Sequence, residues 1–170
     1  MKSTSYTAVL ALALVSTAVA QQKSQTATAD FVNRDGKDIG RAALTVAKGG
    51  VLIDLQVSGL PANKWVAFHI HENGQCSHTD KLESAGGHFN PDKKEHGLLA
   101  ASGPEAGDMP NQYVGQDGIL RAQVFNSMVT LDDADNGIRG RALMIHADSD
   151  DYRSQPTGGS GERLACAVIE

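Results

Sequence analysis

Six histidines in 170 residues (His69, His71, His78, His88, His96 and His146) are the residues best able to do chemistry in this chain. His69 and His71 alternate with Phe68 and Ile70, so on a strand both imidazoles share one face about 6 to 7 Å apart, close enough to grip one ion. His88, His96 and Asp108 fall in a stretch rich in glycine and polar residues, and His146 follows the apolar run of residues 142–145. Imidazoles alone suit a borderline transition metal, and imidazoles mixed with carboxylates suit zinc. Taken singly, a surface His-x-His pair, a turn-capping Asp108 and solvated loop imidazoles would each be unremarkable.

These side chains need a frame, and the frame reads as strands broken by turn chemistry. Residues 27–33, 39–47 and 51–60 are strands joined at Asp35-Gly36 and Lys48-Gly49-Gly50. Residues 51–57 alternate apolar and polar, the pattern of a half-buried antiparallel strand. Residues 65–72 read as one further strand, and regularity returns at 118–131, 140–147 and 162–169. Residues 73–111 and 148–161 are irregular, and structureless stretches of such length in a small domain are usually functional. No amphipathic helix, internal repeat or interdomain linker is found. Seven or eight short strands with two long loops predict an all-β, antiparallel Greek-key barrel or sandwich of one domain.

Residues 1–20 resemble a secretory signal: Lys2, an apolar run over 8–15, then Ala18-Val19-Ala20 as a small-x-small cleavage pattern. The expected mature chain covers residues 21–170 and is exported, to a periplasmic or extracellular space. Losing Lys2 and no acid moves the net charge from −5 to about −6, which disfavours nucleic acid and anionic membranes as partners. No later stretch has the roughly 20 apolar residues of a membrane span. In an oxidising compartment the two cysteines, Cys76 and Cys166, invite a disulfide, with two buried free thiols as the alternative.

The strings Phe68-His69-Ile70-His71-Glu72, Gly86-Gly87-His88-Phe89-Asn90-Pro91 and Ala142-Leu143-Met144-Ile145-His146-Ala147, followed by Gly161-Glu162-Arg163-Leu164-Ala165-Cys166, resemble the copper/zinc superoxide dismutases of secreted bacterial type. The resemblance runs in order over nearly the whole mature chain. It implies copper held by His69, His71, His88 and His146, zinc held by His88, His96 and Asp108, and a disulfide between Cys76 and Cys166. It further implies Asp150 as a carboxylate linking a copper histidine to a zinc histidine, and Arg163 as the guide for the superoxide anion. The implied reaction is dismutation to dioxygen and hydrogen peroxide by copper redox cycling, with His88 joining the metals and coupling a proton to the electron.

One position departs from the family pattern. Three residues before Asp108 the family keeps a zinc histidine, and this chain has Glu105. A glutamate can ligate zinc, but it adds negative charge and a longer arm. The expectation is a zinc site completed by Glu105, with a copper-only dismutase or a copper-binding or copper-buffering module as the alternative. His78 matches no ligand and is expected at the surface. Glu162 and Glu105 are expected to weaken the positive focus at Arg163, which Lys81, Lys93 and Lys94 would assist only weakly. A monomer and a homodimer are both compatible with the sequence.

Overall fold

A computed structural model describes residues 25–132 and 134–170, so the expected leader and the mature start near Gln21 lie outside the described residues. Nine strands run in chain order: β1 (Thr26–Asn33), β2 (Asp38–Ala47), β3 (Gly50–Val57), β4 (Lys64–Val66), β5 (Phe68–His71), β6 (Gln112–Val114), β7 (Leu120–Asn126), β8 (Ala142–His146) and β9 (Arg163–Val168). All their pairings are antiparallel. Helix among the described residues is confined to two single 3-10 turns, His78–Asp80 and Glu83–Ala85. The expected all-β fold is therefore the observed one.

The spatial order β4-β6-β7-β3-β2-β1-β9-β8-β5 puts β4 and β5 at opposite edges of one sheet. Only Ala67 separates them in sequence, so the two edges are held one residue apart and the sheet must roll into a nearly closed barrel. The sequence pattern predicts a single strand over residues 65–72, and here the structure differs. At Ala67 the chain changes partners, from β6 to β8: its N–H donates to the Asp148 carbonyl and its own carbonyl accepts from His146 N–H. β6 lies just after the irregular stretch, where the sequence pattern assigns no strand because three residues carry no readable period.

Alternation sets which face is buried. Val51, Ile53, Leu55 and Val57 of β3 point inward with Phe31 of β1 and Phe68 and Ile70 of β5, and these fill the barrel. A second, smaller apolar cluster lies on the outer wall, where Ala142 and Met144 of β8 and Cys166 of β9 meet Leu82 and Ala85 of the long loop. His69 and His71 belong to this outer side yet are as buried as their inward neighbours, because the loop covers them.

That cover is built as a partial extra strand. Ile70 N–H donates to the Gly107 carbonyl, Phe89 N–H to the Ile70 carbonyl, and Glu72 N–H to the Gly87 carbonyl. The free edge of β5 is thereby satisfied, and His69 is set opposite Asp108 and His71 opposite His88. On the other side of β8, Ile145 pairs with Ala165 but His146 pairs with Arg163, an irregularity that gives β9 one extra residue. Leu164 packs on the core while Arg163 arrives opposite the last histidine.

The disulfide Cys76–Cys166, with Cα atoms 5.5 Å apart, ties the start of the long loop to β9 across 90 positions. Closing so long a loop stabilises by up to about 4 to 5 kcal/mol in the chain-entropy model. Replacing both cysteines by serine should lower the thermal midpoint by many degrees under oxidising conditions, while a reductant should lower that of the parent and leave the variant unmoved. Coinciding melting curves for variant and oxidised parent would remove the disulfide from the account of stability.

Candidate metal centre

Two clusters of donor atoms share one histidine. His69, His71, His88 and His146 can each offer a ring nitrogen with all four atoms within 4.8 Å of one another, and so can His88, His96, Glu105 and Asp108 with one nitrogen or oxygen each. A third trio of His69, His96 and Asp150 links the two. Every one of these side chains is buried. His88 presents Nδ1 to the carboxylate cluster, and its Nε2, buried, has no hydrogen-bond partner.

The outer contacts decide which nitrogen of each ring is free. His69 Nε2 lies 3.0 Å from Asp150 Oδ2, so it carries the proton and leaves Nδ1 as a lone pair, and that Nδ1 is buried without a partner. His71 Nδ1 lies 2.9 Å from the Gly86 carbonyl and so donates, which leaves Nε2 free. His146 Nδ1 points to Ser160 Oγ at 3.4 Å, and its Nε2 faces His71 Nε2 at 3.3 Å. The lone pair of His71 Nε2 thus opens on the same buried space as His146 Nε2 and the partnerless His69 Nδ1, and all-imidazole donation suits copper.

The second cluster passes a stricter geometric test. Ligand atoms around a tetrahedral zinc sit about 3.3 Å apart. His88 Nδ1 lies 2.9 Å from Glu105 Oε2, 3.5 Å from Asp108 Oδ1 and 3.2 Å from His96 Nδ1. His96 Nδ1 lies 3.2 Å from Glu105 Oε2 and 2.9 Å from Asp108 Oδ1. Asp108 is aimed by its other oxygen, which accepts the Gly97 and Glu105 N–H groups, and Oδ1 is left without a hydrogen bond. The residues present therefore fit zinc, with Glu105 standing where the fourth donor is needed.

Electrostatics separate the clusters. Burial pushes His69 down to about 4, against the pull of Asp150, and burial likewise holds His71 and His146 well below the usual imidazole range. These three rings stay neutral and ready to donate. In the carboxylate cluster burial is overcome: Asp108, Asp150 and Glu105 raise His96 to about 11, and Asp108 and Glu105 raise His88. Asp108 and Glu105 are opposed by burial but held below their ordinary values by His88 and His96, and Asp150 likewise by His69 and His96. The second cluster demands positive charge, from protons or from a dication.

Every residue expected to form the centre is brought to it: His69, His71, His88, His96, Glu105, Asp108, His146 and Asp150. Asp150 bridges the clusters through His69 and through His96 Nε2 at 3.2 Å. Arg163 donates to the Leu82 and Gly86 carbonyls at 2.8 and 2.7 Å, so it shares the Gly86 oxygen with His71. Exposed Glu83 sits 3.3 Å from it. Glu162, expected to oppose Arg163, pairs instead with Arg34. His78 is exposed and outside every cluster. Three carboxamides escaped the sequence reading. Asn111 pairs its amide with the backbone of Asp150, Gln155 does the same with His96, and Asn90 reaches Glu105. Only the presence of amides near ligands in the loops could have hinted at them.

These shifts fix a pH dependence for the metal-free protein. Below the ordinary value of 6.5, the unfolded chain binds protons that buried His69, His71 and His146 refuse, so stability falls from pH 6.5 toward 4. Above 6.5 the unfolded chain releases protons that His88 and His96 retain, so stability falls again, for His96 toward pH 11. Thermal midpoints of metal-free protein should peak near pH 6.5, and loading with metal should abolish the alkaline decline. A midpoint that climbs steadily from pH 6.5 to 9 without metal would contradict this assignment.

Comparison with known proteins agrees with the geometry. The family model for copper/zinc superoxide dismutase (SODC) matches residues 38–169. Superoxide dismutase [Cu-Zn] 1 of Aquifex aeolicus is 49% identical over 146 residues, which cover 84% of this chain and 86% of that protein. Among solved structures, a double mutant of a superoxide-dismutase-like protein from Bacillus subtilis superposes with a TM-score of 0.81 at 37% identity, covering 85% of this chain and 97% of the other. The copper/zinc superoxide dismutase from Brucella abortus gives 0.71 at 29% identity, over 85% and 99%. With the family match running from β2 to β9 and over both ligand-bearing loops, this chain belongs to the copper/zinc superoxide dismutase family.

Proposed function

We infer that the protein is a superoxide dismutase in which His69, His71, His88 and His146 hold copper and His88, His96, Glu105 and Asp108 hold zinc. The observation that carries this reading is the convergence of four buried imidazoles next to a fixed guanidinium. Copper, alternating between two oxidation states, supplies the electron acceptor and donor for turning superoxide into dioxygen and hydrogen peroxide.

The chain's own residues do the rest. Asp150 and the Gly86 carbonyl fix the tautomers of His69 and His71, so their lone pairs face inward. His88 lies between the clusters and takes a proton at Nε2 in one half of the cycle, then gives it up in the other. Its Nδ1 stays committed to the carboxylate cluster, which keeps the ring in place while Nε2 changes partner. Arg163 offers a positive charge to an anion approaching a protein of net negative charge. Tethering at both Leu82 and Gly86 keeps that charge at the site; the Arg34–Glu162 pair takes up one nearby carboxylate, and exposed Glu83, 3.3 Å away, is the one that faces Arg163. A copper-buffering module would use the four imidazoles but has no need of Arg163.

The leader-like residues 1–20 and the disulfide support export to a periplasmic or extracellular space. Fractionation followed by N-terminal sequencing should find the mature chain starting near Gln21 outside the cytoplasm. Arg163→Ala should cut superoxide turnover several-fold to about tenfold with copper content unchanged, and Arg163→Lys should recover part of the loss. The fall should shrink as ionic strength rises. Equal rates for Arg163→Ala and the parent would reject the guiding role. Metal analysis of the same samples should give zinc and copper in near-equal amounts; a ratio far below one would favour the copper-only reading.

A further inference from the structure

We propose that Asn90 acts as a positioning residue for the glutamate in the zinc cluster, holding Glu105 so that a single oxygen faces the metal. The proposal rests on the reading of Glu105 as a zinc ligand. A histidine ligand is rigid and offers one nitrogen, whereas a glutamate has a flexible arm and two equivalent oxygens. An unrestrained carboxylate can turn both oxygens to a cation or swing away from it. A chain with glutamate here therefore needs something to take up the second oxygen.

Asn90 does so. Its Nδ2 donates to Glu105 Oε1 at 2.8 Å, while Oε2 is the oxygen 2.9 Å from His88 Nδ1 and 3.2 Å from His96 Nδ1. The Asn90 amide is itself oriented, because its Oδ1 accepts from Lys94 N–H at 2.9 Å and its Nδ2 also donates to the Lys94 carbonyl at 2.8 Å. Flipping the amide would set an oxygen against Glu105 and an NH2 group against the Lys94 N–H, losing all three bonds. The N–H facing residue 105 is thus fixed as a donor, which matches a carboxylate. It does not match a metal-bound neutral imidazole, whose outer nitrogen also carries a proton. A hydrogen bond to an ionised carboxylate is among the stronger ones, so its loss should be measurable.

The test is a double-mutant cycle on the full-length mature protein, read by competition for zinc against a chromophoric chelator. Asn90→Ala should weaken zinc about tenfold, and Asn90→Asp, which keeps the acceptor for Lys94 N–H but sets a carboxylate against Glu105, should weaken it further. Glu105→Ala should weaken zinc by itself, and adding Asn90→Ala to it should change almost nothing. With cobalt(II) in place of zinc, Asn90→Ala should also dim the visible bands, as the released carboxylate turns both oxygens to the metal and four-coordination is lost. An unchanged zinc affinity in Asn90→Ala overturns the proposal. So does an equal loss in the two backgrounds, which would mean that Asn90 merely supports the loop at Lys94. Zinc affinity unmoved by Glu105→Ala would instead overturn the ligand role of Glu105, and the two failures are thereby told apart.

Discussion

The centre depends on lone pairs buried where protein alone cannot satisfy them. His71 Nε2 and His146 Nε2 face each other at 3.3 Å, and the partnerless Nδ1 of His69 and Nε2 of His88 belong to the same cluster of donors. Leaving an acceptor such as His69 Nδ1 unpaired in the interior is costly, and a cation held among the four rings answers it. The price is set by the surrounding fold: the barrel wall and the long loop must exclude water from the rings while keeping the rings from one another's protons. Burial and outer hydrogen bonds therefore act together, the first keeping three rings neutral and the second choosing which nitrogen stays bare.

The neighbouring cluster solves an opposite problem. The two carboxylates and two imidazoles of this cluster, with Asp150 against His96, carry an excess of negative charge, which protons or a dication must balance. Putting a glutamate where relatives of the secreted bacterial type keep histidine sharpens this imbalance. The all-imidazole cluster and the carboxylate cluster share His88, so each metal type finds the donor set it prefers on either side of one ring. Asp150 closes a second link between them through His69 and His96, and Asn111 and Gln155 lock the loop of Asp150 onto the loop of His96.

Much of this was legible before any coordinates. The alternation of residues 51–57 marked a half-buried strand, the imidazole spacing at 69 and 71 marked a shared face, and the ordered strings around 88, 146 and 163 marked the family. What stayed hidden depends on partners far away in the chain. The switch at Ala67 is invisible because both halves of the run 65–72 have strand character, and only the identity of the strands alongside divides them. The pairing of Glu162 with Arg34 spans 128 positions, and no local pattern announces it. The amides of Asn90, Asn111 and Gln155 look like ordinary loop polarity until the loops are packed.

The switch at Ala67 also places the donor histidines at the seam of the sheet. His69 and His71 stand immediately after the residue at which the sheet's two edges meet, His146 lies on β8, the strand paired with β5, and His88 sits opposite His71 on the loop along the free edge of β5. An unrolled chain holds these imidazoles scattered over nearly eighty positions, with no pocket to offer an ion. The donor set thus exists only where β5 has both its neighbours, β8 on one side and the long loop on the other.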